Sequence, residues 1–173
     1  PWREPRGDHM SFPRTWTGTV ACLGVALTAA AAVAESSFYS QGIGTGVNAS
    51  VDHPIDGDVT MVMSSSIFEA MTFNDPQYPL NGATGECFGP IKISAGDIAS
   101  DGYCTFDDPS GDHYVGKWTV QDLGEDGVMV GEWRVLGGSG KWEGASGGGT
   151  FLYMPNDETG RFETTLTGAI TLP

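Results

Sequence analysis

Gly144-Ala145-Ser146-Gly147-Gly148 spells G-x-S-x-G, the spacing that lifts a nucleophilic serine off a strand-to-helix turn in α/β hydrolases. That chemistry needs a helix after the serine, and the residues from Thr150 onward alternate as a strand does, so the match reads as part of a hairpin. Asp107, Asp108 and Asp112 supply hard oxygen ligands of the kind calcium takes. They do not follow the EF-hand spacing, and with Pro109, Ser110 and Gly111 among them they read as a solvated turn with no metal. His53 and His113 lie sixty positions apart, with nothing in the spacing to pair them as metal ligands. His113, beside the acidic turn, is a candidate general base if it faces a substrate and an ordinary exposed imidazole if it does not.

Glu132 and Arg134 share a parity with Val128, Val130 and Leu136. If that parity faces inward, Glu132 is desolvated and becomes the acid/base candidate of the chain, with Arg134 or Lys117 holding it ionised. If it faces outward, the two are an exposed pair. Among the aromatic residues, Tyr114 and Trp118 share one face of their segment, and Trp133 shares a face with Met129 and Val135. These rings either fill a core or line an apolar cavity with a few polar groups, the usual form of a small-molecule site. Met61, Met63 and Met71 would add soft, adaptable contacts to such a cavity.

The elements that must position these groups are strands. No helical period runs through the chain after Glu35, and apolar-polar alternation recurs between glycine-rich turns. The clearest segment is the last, where Phe162, Leu166, Ile170 and Leu172 share one parity and Arg161, Glu163, Thr165, Thr167 and Thr171 the other. Similar segments cover residues 38–51, 58–73, 86–94, 97–106, 113–120, 128–136 and 149–154, which makes eight candidates. Asp107-Asp108-Pro109-Ser110-Gly111-Asp112 and Gly124-Glu125-Asp126-Gly127 hold turn residues, and Gly57-Asp58, Gly96-Asp97 and Asp101-Gly102 punctuate the earlier half. Eight sequential antiparallel strands leave two bare edges unless they close, so the expected fold is all-β, a single up-and-down antiparallel barrel. Such a barrel has an interior that side chains fill or that holds one small ligand.

Ahead of the strands, Arg14 precedes an apolar run that ends in Ala32-Val33-Ala34. A basic residue, a short apolar stretch and an A-x-A site are the parts of a secretory signal peptide, too short for a membrane span. The expected organisation is an upstream segment 1–9, a signal peptide 10–34 and a barrel domain 35–173. Cys22 sits early in the apolar run with Thr19 where a lipobox takes Leu, so acylation is not expected. The domain carries twenty acidic side chains against five basic ones (Lys92, Lys117, Arg134, Lys141, Arg161), which excludes nucleic acid as a partner and opposes anionic lipid. In an exported protein, the pair Cys87 and Cys104 is expected to oxidise to a disulfide.

The stretch Gly137-Gly138-Ser139-Gly140-Lys141-Trp142-Glu143-Gly144-Ala145-Ser146-Gly147-Gly148-Gly149-Thr150-Phe151 resembles the GGTGKFxGARGxGTF signature of the allene oxide cyclase and dirigent-type barrels and their secreted bacterial relatives. The resemblance implies a closed eight-stranded barrel often assembled into trimers. It carries no activity with it, because the glycines serve the backbone, and Ser146 stands where the signature has Arg.

The sequence therefore predicts an exported, secreted or periplasmic barrel that binds a small apolar or aromatic molecule without a cofactor. The alternatives are a cofactor-free isomerase or cyclase and a structural interaction module. An apolar lumen favours the binder, a lumen with an ionisable group the enzyme, and a filled interior the structural module.

Overall fold

A computed structural model describes residues 35–95, 97–124 and 127–173. The upstream segment and the expected signal peptide lie outside the described residues. Eight strands follow one another: β1 Ser36–Asp56, β2 Val59–Phe73, β3 Thr84–Ser94, β4 Asp97–Asp107, β5 His113–Leu123, β6 Met129–Gly138, β7 Ser146–Asn156 and β8 Arg161–Leu172. Each is antiparallel to its sequence neighbours, and β1 pairs with β8 to close the barrel. The closing seam runs from Ser36 opposite Leu172 to Val47 opposite Arg161.

Alternation decides which side chains enter the barrel. On β8, Phe162, Thr164 and Ile170 are buried, and Arg161, Glu163 and Ala169 between them are exposed. The outward positions carry Glu86, Lys92, Asp101, Glu132 and Arg134 in mid-strand, where a lipid-facing barrel would hold an apolar band. No helix among the described residues is long and apolar enough to cross a membrane.

The structure departs from the expected strands in three places. β7 begins at Ser146, because Gly147, Gly148 and Gly149 pair with Ile170, Ala169 and Gly168 of β8 instead of turning. β1 runs on to Asp56, which pairs with Val59 across the Gly57-Asp58 turn, where Gly57 has φ +53°. Asp101-Gly102 is the middle of β4, not a turn. The β1–β2 hairpin thus projects past β8, and residues 49–56 keep one open edge that bears Asp52, Pro54 and Asp56. Charges and proline are the residues that discourage edge-to-edge pairing.

One end of the barrel is plugged. The β2–β3 connection contributes Tyr78, Leu80 and Ala83, and the β6–β7 connection, with a single 3-10 turn at Gly140–Trp142, contributes Trp142 and Ala145, all buried. A chain of ring contacts runs inward from this plug: Trp142 to Tyr114, Tyr114 to Phe106, Phe106 to Phe68, Phe68 to Phe162 and Phe162 to Tyr153, with centroids 4.8–5.7 Å apart. Such edge and offset contacts suit the quadrupoles of the rings.

Candidate functional site

The barrel interior beneath the plug holds a cavity of about 90 Å³, lined in part by Leu80 of the plug. Its wall is built by inward positions of successive strands: Phe68 and Met71 of β2, Ile91 of β3, Phe106 of β4, Trp118 and Val120 of β5, Met129 and Trp133 of β6, and Phe151 of β7. A void of that size, with a water's share of liquid volume near 30 Å³, admits a compact molecule and is well below the roughly 300–1,000 Å³ of drug-sized sites.

The two tryptophans of the wall are cross-strand partners, Trp118 opposite Trp133. Their row continues through glycine on both sides, with Gly102 opposite Trp118 and Gly149 opposite Trp133, then Gly168. The indoles spread over this glycine belt. A Cβ on Gly102 would stand 2.4 Å from Trp118 Cζ2, and one on Gly168 would stand 2.6 Å from Trp133 Cζ2, so only glycine fits beneath either ring. The indole N–H groups of Trp118 and Trp133 are buried without a hydrogen-bond partner.

Cys87 and Cys104 face each other across β3 and β4 with Cα atoms 4.0 Å apart, joined as a disulfide that forms part of the cavity wall. A polar cluster occupies one side of the cavity. Ser64 and Ser66 both donate to Asn48 Oδ1, at 3.5 and 3.2 Å, and Ser66 Oγ lies 3.1 Å from the Tyr153 hydroxyl. Asn48 Nδ2 donates to Ser50 Oγ, and the Thr164 hydroxyl donates to the Leu152 carbonyl. Burial, together with the charge of Asp157, pushes the Tyr153 hydroxyl up from its ordinary value against the opposing Ser66 hydrogen bond, so it is a neutral phenol at physiological pH.

Tyr114, Trp118 and Trp133 therefore meet in the lumen as an aromatic wall. Met61 and Met63 do not join them, and this corrects the grouping of the three methionines. The pairing of β1 with β2 shifts where Thr45 opposes Ala70 and Gly46 opposes Phe68, which leaves Glu69 as a bulge. A bulge reverses parity along its strand, so Met71 points inward at 3% exposure while Met63, of the same sequence parity, is 49% exposed. Met61 lies in an outer hollow beside Lys92 and Asp101.

Glu132 and Arg134 point outward and are exposed, the second of the two alternatives their parity allowed. Lys117 pairs with Asp101 at 2.7 Å. His113 opens β5 with its Nδ1 against Asp107, both side chains largely exposed. None of Glu132, Arg134 and His113 is part of the cavity wall. Ser146 starts a strand and not a helix, so the geometry of a nucleophile elbow is absent.

Of the acidic turn, Asp108 is the surprise, because it is buried and not solvated. Its Oδ2 accepts from Trp142 Nε1 at 2.8 Å and from Lys141 Nζ at 2.9 Å, and its Oδ1 accepts from the Ser110 backbone at 2.7 Å. Burial alone would push the carboxyl up, but the hydrogen bonds from Ser110, Lys141 and Trp142 outweigh it and hold the group well below the usual carboxylate range. Asp108 thus anchors the β4–β5 turn to the plug. Among the described residues no cluster of three or more His, Cys, Asp or Glu is placed to hold a metal ion.

Fold and site together define a closed eight-stranded barrel with a plugged end and a small aromatic lumen. Compared with known proteins, the chain matches no family model, no curated protein and no solved structure.

Proposed function

We propose that this protein binds a small apolar molecule inside the barrel. The observation that carries the reading is the cavity of about 90 Å³ walled by Phe68, Met71, Trp118, Met129, Trp133 and Phe151. An apolar void that stays open in an otherwise close-packed interior forgoes dispersion contacts, and a ligand of matching size restores them. The runner-up, a cofactor-free isomerase or cyclase, draws no support from Glu132, Arg134 or His113, which face away from the lumen.

Export to a secreted or periplasmic setting, and kinship with the allene oxide cyclase and dirigent-type barrels, belong to the same proposal. The disulfide supports the first, since such bonds persist in oxidising compartments. The closed eight-stranded topology agrees with the second. The homotrimer that this kinship implies would use outer apolar side chains such as Val51 beside Met63 and Phe88 beside Tyr103.

Native mass spectrometry of the protein purified from its own host tests the binding reading. A retained small molecule, lost on mild activation, is the expected result. A clean unliganded mass, together with no change in tryptophan fluorescence when small apolar probes are titrated in, would end it, because Trp118 and Trp133 border the void.

A further inference from the structure

Tyr114 enters the lumen from the plug end. Its ring stacks on Phe106 and meets Trp142 edge-on, and its hydroxyl reaches along β5 over Gly116, where a Cβ would collide with Oη. Tyr114 and Gly116 both belong to the cavity wall, so the hydroxyl sits at the plug-side border of the void. The residue is 3% exposed, and its hydroxyl makes no hydrogen bond among the described residues. The hydroxyls around it are engaged within the protein. Ser66 Oγ lies 3.1 Å from the Tyr153 hydroxyl, Ser64 and Ser66 reach Asn48, Thr164 donates to the Leu152 carbonyl, and Tyr78 donates to the Gly168 carbonyl. Burial, with Tyr78 close by, pushes the Tyr114 phenol up from its ordinary value, so the proton stays on the oxygen. A buried donor left without an acceptor carries its full desolvation penalty.

We propose that the Tyr114 hydroxyl is the polar contact of the lumen, and that the occupant is a compact neutral molecule carrying a hydrogen-bond acceptor, a carbonyl or ether oxygen, on an otherwise apolar body. This rests on the reading of the lumen as a ligand site and adds the chemical class of the ligand. The acceptor oxygen takes the phenol proton at the plug side, where Gly116 leaves room beside Oη. The apolar body extends away from the plug, beside Phe151 and Met129. A phenol oxygen donates better than it accepts, because its lone pair is drawn into the ring, so an acceptor suits Tyr114 more than a second donor does.

Cyclopentanone and methylenecyclopentane share a shape and differ only in an oxygen against a methylene group. Each is titrated into the parent protein and into Tyr114→Phe, followed by tryptophan fluorescence and by thermal shift. Comparing one probe across two proteins cancels the unequal hydration of the two probes. Without the phenol proton a bound carbonyl is buried unpartnered, so the variant should bind cyclopentanone about ten-fold more weakly. Methylenecyclopentane should bind the variant as tightly as the parent, or more tightly. The substitution removes no internal hydrogen bond, so the unliganded melting temperature should hold. The carbonyl stretch of cyclopentanone bound to the parent protein reads the same contact without any variant, and should fall below its position in cyclohexane. Equal weakening of both probes by Tyr114→Phe would show that the residue only shapes the cavity, and unchanged cyclopentanone binding that the carbonyl meets another donor. Either result, a stretch at the cyclohexane position, or binding of methylenecyclopentane alone overturns the inference and leaves an apolar ligand site. Binding of neither probe to the parent protein removes both the inference and the ligand reading beneath it.

Discussion

Asp108 illustrates how a single side chain sets the geometry of one end of the barrel. Its carboxylate gathers the Trp142 indole, the Lys141 ammonium and the Ser110 amide at 2.7–2.9 Å, and Trp142 in turn caps the ring chain through Tyr114. A group whose carboxyl is held low when folded contributes stability above its unfolded value near 4 and loses it as pH falls toward the folded value. Asp108→Asn keeps the shape but gives up the charge, and should cost about 1–3 kcal/mol at pH 7. The deficit, measured as the difference in unfolding free energy from the parent protein, should stay constant down to about pH 4 and shrink below it. A deficit independent of pH would show that the charge is not what Trp142 and Lys141 require. The sequence marks Asp108 as a turn residue like Asp107 and Asp112. Its inward position is a matter of where Trp142 lands, thirty-four residues later, which no local pattern encodes.

At the scale of elements, β3 and β4 are joined twice, by their ladder and by the disulfide between register partners Cys87 and Cys104. The cross-link closes a loop of 17 residues, worth about 3 kcal/mol in the chain-entropy model. Cys87→Ser with Cys104→Ser should lower unfolding free energy by about that amount while the far-ultraviolet spectrum stays that of a β-protein. Loss of the β spectrum would mean that the bond is needed to form the barrel and not only to stabilise it. Because the disulfide is also wall, the same variant should alter probe binding in the cavity. The strands themselves were legible from alternation, and so was the inward parity of Tyr114, Trp118 and Trp133. The methionines were not, because a bulge at Glu69 leaves no mark in composition. The glycines of β7 were misread for a related reason. Gly147 and Gly148 are strand residues because they pair with Ile170 and Ala169 of β8, and that requirement comes from across the sheet.

At the scale of the whole barrel domain, residues 35–173, twenty acidic side chains against five basic ones make self-repulsion a standing cost of compaction. Only four cation-carboxylate contacts occur among the described residues. Salt screens such repulsion with a Debye length near 10 Å at 0.1 M. The midpoint of thermal unfolding should therefore rise between 10 and 300 mM sodium chloride, by a few degrees, and a fall would show that the surface ion pairs outweigh the net charge.

Period-two alternation, turn residues and an even cysteine pair were enough to specify an all-β chain of eight strands, because side-chain direction along a strand is a local property that the backbone imposes everywhere. Closure was expected too, since a closed barrel removes both edges of eight sequential strands. Which lumen groups confront one another, where a bulge reverses parity and which carboxylate is buried depend on register between strands far apart in the chain. Those contacts exist only once β1 has met β8, and so the tertiary structure alone decided that the barrel keeps a small, largely apolar void.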